Sequence, residues 1–175
     1  LNEELVEFIK NQQMFFVATA PKDGKINISP KGLDALRIVD NKTIVWLNYF
    51  GSGNETAAHL LENNRMTLMF CAFEGEALIL RVYAKAKVFH ERDEEFKKYQ
   101  ELFDYTNASR NIFELKIEAI NSSCGMGVPL FDYVAQRDEL PSFYDNSSKE
   151  KHLSFMKKHN TKSFDGKDTG LFTSS

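Results

Sequence analysis

The feature that most constrains this chain is a two-residue rhythm that recurs in short bursts between turn signals. Over Asn111 to Ile120, Phe113, Leu115, Ile117 and Ala119 alternate with Glu114, Lys116 and Glu118. Period two sends successive side chains to opposite faces, so this segment predicts a half-buried strand. Ala77 to Phe89 repeats the rhythm. Leu78, Leu80, Val82, Ala84, Ala86 and Val88 share one face, and Ile79, Arg81, Tyr83, Lys85 and Lys87 share the other. Shorter strands are expected over Met14 to Ala20, Ile26 to Pro30, Leu36 to Val39 and Thr43 to Tyr49. The turns Pro21 to Lys25, with its Asp-Gly pair, and Asp40 to Lys42 separate them as hairpins. Met66 to Phe73 is almost continuously apolar and predicts a strand buried on both faces. The 15 phenylalanines favour strands and a well-filled core.

Helices are few. Helical spacing of apolar residues marks Asn2 to Gln12, Glu55 to Glu62 and Asp93 to Phe103. They do not alternate regularly with strands, so a doubly wound parallel sheet is disfavoured. The pattern predicts a mainly β, antiparallel barrel with short peripheral helices. At 175 residues the chain fits one compact unit without needing disulfide or metal staples. The texture changes after Pro129. This divides the chain into a barrel, residues 1–136, and a polar C-terminal extension, residues 137–175. In the extension Arg137 to Ser148 is broken by Pro141, Lys149 to His159 predicts a basic helix, and the remainder reads as a loosely held tail.

The formal net charge of -3 gives no field that would draw the whole molecule to nucleic acid or an anionic membrane. Apolar runs such as Ala77 to Leu80 are far too short to span a bilayer. Leu1 to Lys10 is charged and amphipathic and lacks a secretory-signal pattern. Cys71 and Cys124 have no CxxC spacing. Together these predict a cytoplasmic setting. No metal set is predicted, because the four histidines lack ligand spacing. No nucleophile elbow or Ser-His-Asp order is visible either, so no catalytic side chain is named.

Three segments can carry chemistry. In Asn48-Tyr49-Phe50-Gly51-Ser52-Gly53-Asn54-Glu55-Thr56 a strand ends, glycines bend the backbone and a helix begins. A helix N-terminus presents unpaired N–H groups and a partial positive charge, which suits phosphate. The simpler reading is that Ser52 or Asn54 only caps the helix. In Ile28-Ser29-Pro30-Lys31-Gly32, Lys31 is a single cation in a shaped turn, or else a solvated surface lysine. Arg81 lies mid-strand; it needs an anion if buried, and otherwise sits outside the barrel beside Lys85 and Lys87.

Taken in order, Ile26 to Asp34, Ile44 to Phe70 and Leu78 to Phe89 resemble the pyridoxamine 5'-phosphate oxidase-like, FMN-binding split-barrel family. Ser123 to Pro129 resembles a subgroup of that family without an assigned activity. The resemblance implies an antiparallel Greek-key split barrel, FMN as cofactor and a homodimer with the flavin at its interface. It implies a cofactor site of Ser29, Pro30, Lys31, Asn48, Tyr49, Ser52, Gly53, Asn54, Thr56 and Arg81. Lys31 and Arg81 would meet the phosphate, and Asn48 or Tyr49 the ribityl chain or ring. Gly53 and Asn54 stand where the true oxidases carry two cations. The Arg-x-His segment that holds pyridoxal phosphate in those enzymes has no counterpart, so the resemblance implies a relative rather than that oxidase. The expectation is an FMN-dependent oxidoreductase with a small-molecule substrate. A non-catalytic flavin or haem binder on the same barrel is the alternative, with His59 as the histidine nearest the site; F420 replaces FMN in some relatives. A structural barrel with an empty pocket is the third reading.

Overall fold

The computed structural model describes residues 1–172. Asn2 caps α1 (Glu3–Lys10) by accepting a hydrogen bond from the Leu5 N–H at 3.0 Å. Strands β1 (Phe15–Thr19) and β2 (Asn27–Lys31) form one hairpin, and β3 (Leu36–Asp40) and β4 (Thr43–Tyr49) another. Helix α2 (Glu55–Glu62) leads into β5 (Arg65–Cys71) and β6 (Ile79–His90). Helix α3 (Glu94–Gln100) precedes β7 (Ser109–Ser123), and α4 (Glu139–Asp145) and α5 (Lys149–His159) follow. The strands make a seven-stranded sheet in the order β2-β1-β5-β6-β7-β4-β3, with every pairing antiparallel. The mainly β class with short helices therefore holds.

The sheet wraps one main core. Val17, Ile44, Trp46, Leu68, Phe70, Leu80, Val82, Phe113 and Leu115 point inward from five strands. Ala84 and Ala86, from the predicted inner face of β6, join them. Trp46 stacks on Phe113 at 4.6 Å and meets the edge of Phe15 at 6.3 Å. A second apolar cluster lies on the other face of β4 and β7, where α3 covers Val45, Leu47 and Ile112 with Phe96.

Several expectations need correction. β5 is not buried on both faces, because Thr67 and Met69 are half-exposed between buried Met66, Leu68 and Phe70. β7 starts two residues before the predicted strand; its first half is buried on both faces and its last residues are exposed. Pro141 does not break the extension. It sits in the first turn of α4, where a backbone N–H has no helical partner to lose. Nor is the described part of the tail loose: Asn160 and Thr169 are fully buried, Lys167 pairs with Glu62 at 2.6 Å, and Asp165 pairs with Lys25 at 3.1 Å. Residues 173–175, the end of the predicted tail, lie outside the described residues. No helix among the described residues is long and apolar enough to cross a membrane, and none of their His, Cys, Asp and Glu side chains cluster as a metal site.

Candidate functional site

A cavity of about 300 Å³ opens where β2, the end of β4 and the start of α2 converge. Among its lining are Ser29, Lys31, Asn48, Tyr49, Ser52, Gly53, Asn54 and Thr56. Segments separated in sequence thus meet at one place. Pro30 and Arg81 do not line it. Both departures follow from strand parity. Ser29 and Lys31 turn to one side of β2, and Pro30 between them faces out. Arg81 alternates with inward-facing Leu80 and Val82, so it lies on the outer face, where it donates to the Ser123 hydroxyl at 3.1 Å.

The structure adds Asn27, Trp46, Phe50, Gly51, Glu55 and Arg110 to the lining. Arg110 matters most. The β4–β7 register runs Asn48 to Asn111 and then Tyr49 to Ser109, so Arg110 is the extra residue of a β-bulge. Bulges re-aim a side chain out of the ladder, and this one places a guanidinium behind the Gly-Ser-Gly loop. Arg110 is almost wholly buried; its Nη1 donates to the carbonyls of Gly53 at 2.8 Å and Gly51 at 3.3 Å. No carboxylate pairs with it among the described residues, and its Nε has no partner. Burial lowers its pKa to about 10, which leaves it charged at neutral pH. Burial, and then the neighbouring Arg110 charge, bring Lys31 down to about 8. The Lys31 ammonium lies 5.2 Å from the Trp46 ring centre, a cation–π contact and not an ion pair.

The entry to α2 is built to leave donors free. Asn54 occupies the N-cap position but makes no capping bond. Its side chain instead accepts from Asn111 Nδ2 at 3.3 Å and donates to the Asn160 carbonyl at 3.2 Å. The first-turn N–H groups therefore lack a side-chain cap. A Cβ built on Gly51 would meet no atom within 4 Å, so packing within the chain does not require glycine there. Half-buried Lys31 and buried Arg110 make no ion pair among the described residues, although the Glu55 carboxylate shares the cavity; beside an uncapped helix start, such cations are further stabilised by a bound anion. The donor set fits a phosphate.

Other candidates are already engaged. Asn48 donates to Asn111 Oδ1 at 2.8 Å. Tyr49 donates to the Tyr105 carbonyl at 3.2 Å, and burial raises its pKa to about 12, so it stays neutral. His59 is buried on α2, its Nδ1 3.0 Å from the Thr19 hydroxyl, and it does not line the cavity.

Known proteins sharpen this picture. The family model for pyridoxamine 5'-phosphate oxidase matches residues 1–124. The pyridoxamine 5'-phosphate oxidase family protein ustO of Aspergillus flavus is 34% identical over 137 residues, 75% of this chain and 55% of that protein. The chain thus spans about half the length of that relative. Among solved structures, HupZ of Group A Streptococcus is similar in fold, with a TM-score of 0.56 and 21% identity over 71% of this chain and 94% of that one. An FMN-binding protein from Syntrophomonas wolfei subsp. wolfei has a TM-score of 0.50 and 21% identity over 74% of this chain and 89% of that one. With its match to the family model over residues 1–124 and its identity to ustO, this chain belongs to the pyridoxamine 5'-phosphate oxidase family.

Proposed function

We propose that this chain binds FMN by its phosphate and serves as a flavin-dependent oxidoreductase, assembled as a homodimer with the cofactor at the interface. The observation that carries the reading is the pair of cations, Lys31 and Arg110, that line one cavity at the uncapped start of α2 without an ion-pair partner among the described residues. The family membership and the FMN-binding relative from Syntrophomonas wolfei support it. Lys31 and Arg110 neutralise the phosphate, and the hydroxyls of Ser52 and Thr56 add donors. Asn48 and Tyr49 line the cavity toward the ribityl chain, and Trp46 forms an apolar wall. The flavin, when bound, supplies the hydride chemistry, while the protein orients it and sets its electrostatics.

The cavity of one chain is at the small end for a cofactor site, which ordinarily needs ~300–1,000 Å³. It suits the phosphate and sugar and leaves the ring system beyond it for a second subunit to cover. On the outer sheet face Pro30, Phe16, Met69 and Arg81 stand in register across four strands, beside exposed Ile28 and Tyr83. This face is the proposed contact between copies. Sedimentation is expected to give a dimer; an FMN-loaded monomer would overturn the assembly. The haem alternative has no support in the cavity, because His59 is turned into the core against Thr19.

The test is an absorption spectrum of the purified protein, then titration with FMN and riboflavin. Flavin bands and a preference for FMN are expected, with quenching of the fluorescence of Trp46, which is the sole tryptophan and lines the cavity. Absence of flavin binding sinks the proposal. Anaerobic reduction of the bound flavin by NADH or NADPH supports the oxidoreductase; failure with both reduces it to a flavin carrier.

The affinity should depend on pH through Lys31. Its pKa in the free protein is about 8, and a bound phosphate dianion raises it by stabilising the charged form. Below pH 8 the ammonium is already charged and affinity is flat. Above pH 8 binding must first restore the proton, so FMN affinity falls by about tenfold at pH 9. Kd measured from pH 7 to 9 checks this. Lys31→Arg, charged throughout that range, should abolish the slope.

A further inference from the structure

We propose that the C-terminal extension sets the phosphate specificity of the cavity, with Asn160 as a positioning residue that turns the peptide groups of the Gly51–Asn54 loop toward the anion. The proposal rests on the flavin reading above and assigns part of that specificity to residues outside the segment that matches the family model.

Asn160 follows the last turn of α5 and is fully buried. Its Nδ2 donates to the Gly51 carbonyl at 2.9 Å. Its own carbonyl accepts from Asn54 Nδ2 at 3.2 Å and from the Thr169 hydroxyl at 2.6 Å. The extension thus grips both ends of the loop. Arg110 acts on the same side, tying back the Gly53 carbonyl and reaching that of Gly51.

In a trans peptide the C=O of one residue and the N–H of the next point in opposite directions, and the chain contains no cis bond among the described residues. Carbonyls 51 and 53 are held toward Arg110 and Asn160. The N–H groups of Ser52 and Asn54 therefore point away from those carbonyls, and both residues line the cavity. Neither N–H donates to any group among the described residues. Unpartnered peptide N–H groups at the entry to a helix are donors for an anion.

The loop's own carboxylate is managed by the same segment. Glu55 Oε2 accepts from the Phe164 N–H at 2.9 Å, which gives its charge a partner on the extension. The extension is anchored elsewhere by Lys167 to Glu62 and Asp165 to Lys25, so its grip on the loop does not depend on Asn160 alone.

A clamp of this kind acts on the phosphate and not on the flavin ring. Its effect is read in the ratio of FMN to riboflavin affinity, since riboflavin lacks the phosphate. Titration of both ligands into the wild-type protein, Asn160→Ala, Asn160→Asp and Thr169→Val tests it. Asn160→Ala should weaken FMN roughly tenfold, the scale of a lost buried hydrogen bond and the loop disorder that follows, with riboflavin unchanged. Asn160→Asp should weaken FMN further, because an acceptor replaces the donor facing the Gly51 carbonyl and adds negative charge. Thr169→Val removes a single bond to the Asn160 carbonyl, and it carries the measurement if the Asn160 variants do not fold. A wild-type preference for FMN that survives unchanged in the variants overturns the clamp and leaves the flavin site standing. A wild-type protein with no preference for FMN overturns the phosphate cradle itself.

Discussion

Arg110→Met is expected to weaken FMN binding by about 2–3 kcal/mol, on the order of 30- to 150-fold, the largest loss from any single side chain of the site. Two effects add. The guanidinium is a full charge in a dry place with no carboxylate partner, so its attraction for a doubly charged phosphate is weakly screened. It also holds back the carbonyls of Gly51 and Gly53, and without it those peptide groups can turn their oxygens toward the anion. Methionine keeps much of the apolar stem, which isolates the charge from the packing. Riboflavin binding should change little. The unliganded variant should melt close to the wild type, because relief of an unpaired buried charge offsets the Gly53 carbonyl left without a donor, while the Gly51 carbonyl keeps Asn160. Calorimetric titration with FMN and riboflavin, beside a melting curve without ligand, reads all three. Wild-type FMN affinity in this variant removes Arg110 from the site.

Arg110 also shows where sequence reading stops. The alternating run of β7 was legible from Asn111 onward because period two is printed in the residues. The bulge that makes Arg110 the odd residue out exists only in the pairing of β7 with β4, across a register shift between Asn48 and Tyr49. No local pattern marks it. The Gly-Ser-Gly loop and Lys31 were legible because a strand end, glycines and a helix start are local features. Which neighbour of Lys31 shares its side was a matter of parity: Ser29 does and Pro30 does not. For Arg81 the sequence carried the answer in its alternation with Leu80 and Val82, and family resemblance pulled against it. In the structure parity prevails, and Arg81 faces outward. The extension was the least legible part. Its order comes from single long-range bonds, such as Asn160 to Gly51 and Phe164 to Glu55, that join polar residues with no periodicity of their own.

The second large effect falls on stability. Trp46→Ala should destabilise the protein by ~3–5 kcal/mol, the usual range for truncating a large buried aromatic. Trp46 is 1% exposed. Its ring stacks on Phe113 at 4.6 Å, receives Phe15 edge-on, and these rings come from strands on opposite sides of the sheet order. Truncation leaves a void that β1, β4 and β7 cannot jointly close, since each is fixed by ladder bonds to its neighbours. Trp46→Phe should cost about 1–2 kcal/mol, as stacking is kept and the buried indole N–H, which has no partner, is lost without penalty. Urea titration of both variants gives the values, and a loss below about 1 kcal/mol in Trp46→Ala means the barrel can repack. The same ring also forms the cavity wall under the Lys31 ammonium. The residue that fills the barrel is therefore the one that supports the cavity-lining Lys31, so on the proposed flavin reading loss of core packing and loss of FMN affinity should appear together in Trp46→Ala and separate in Trp46→Phe.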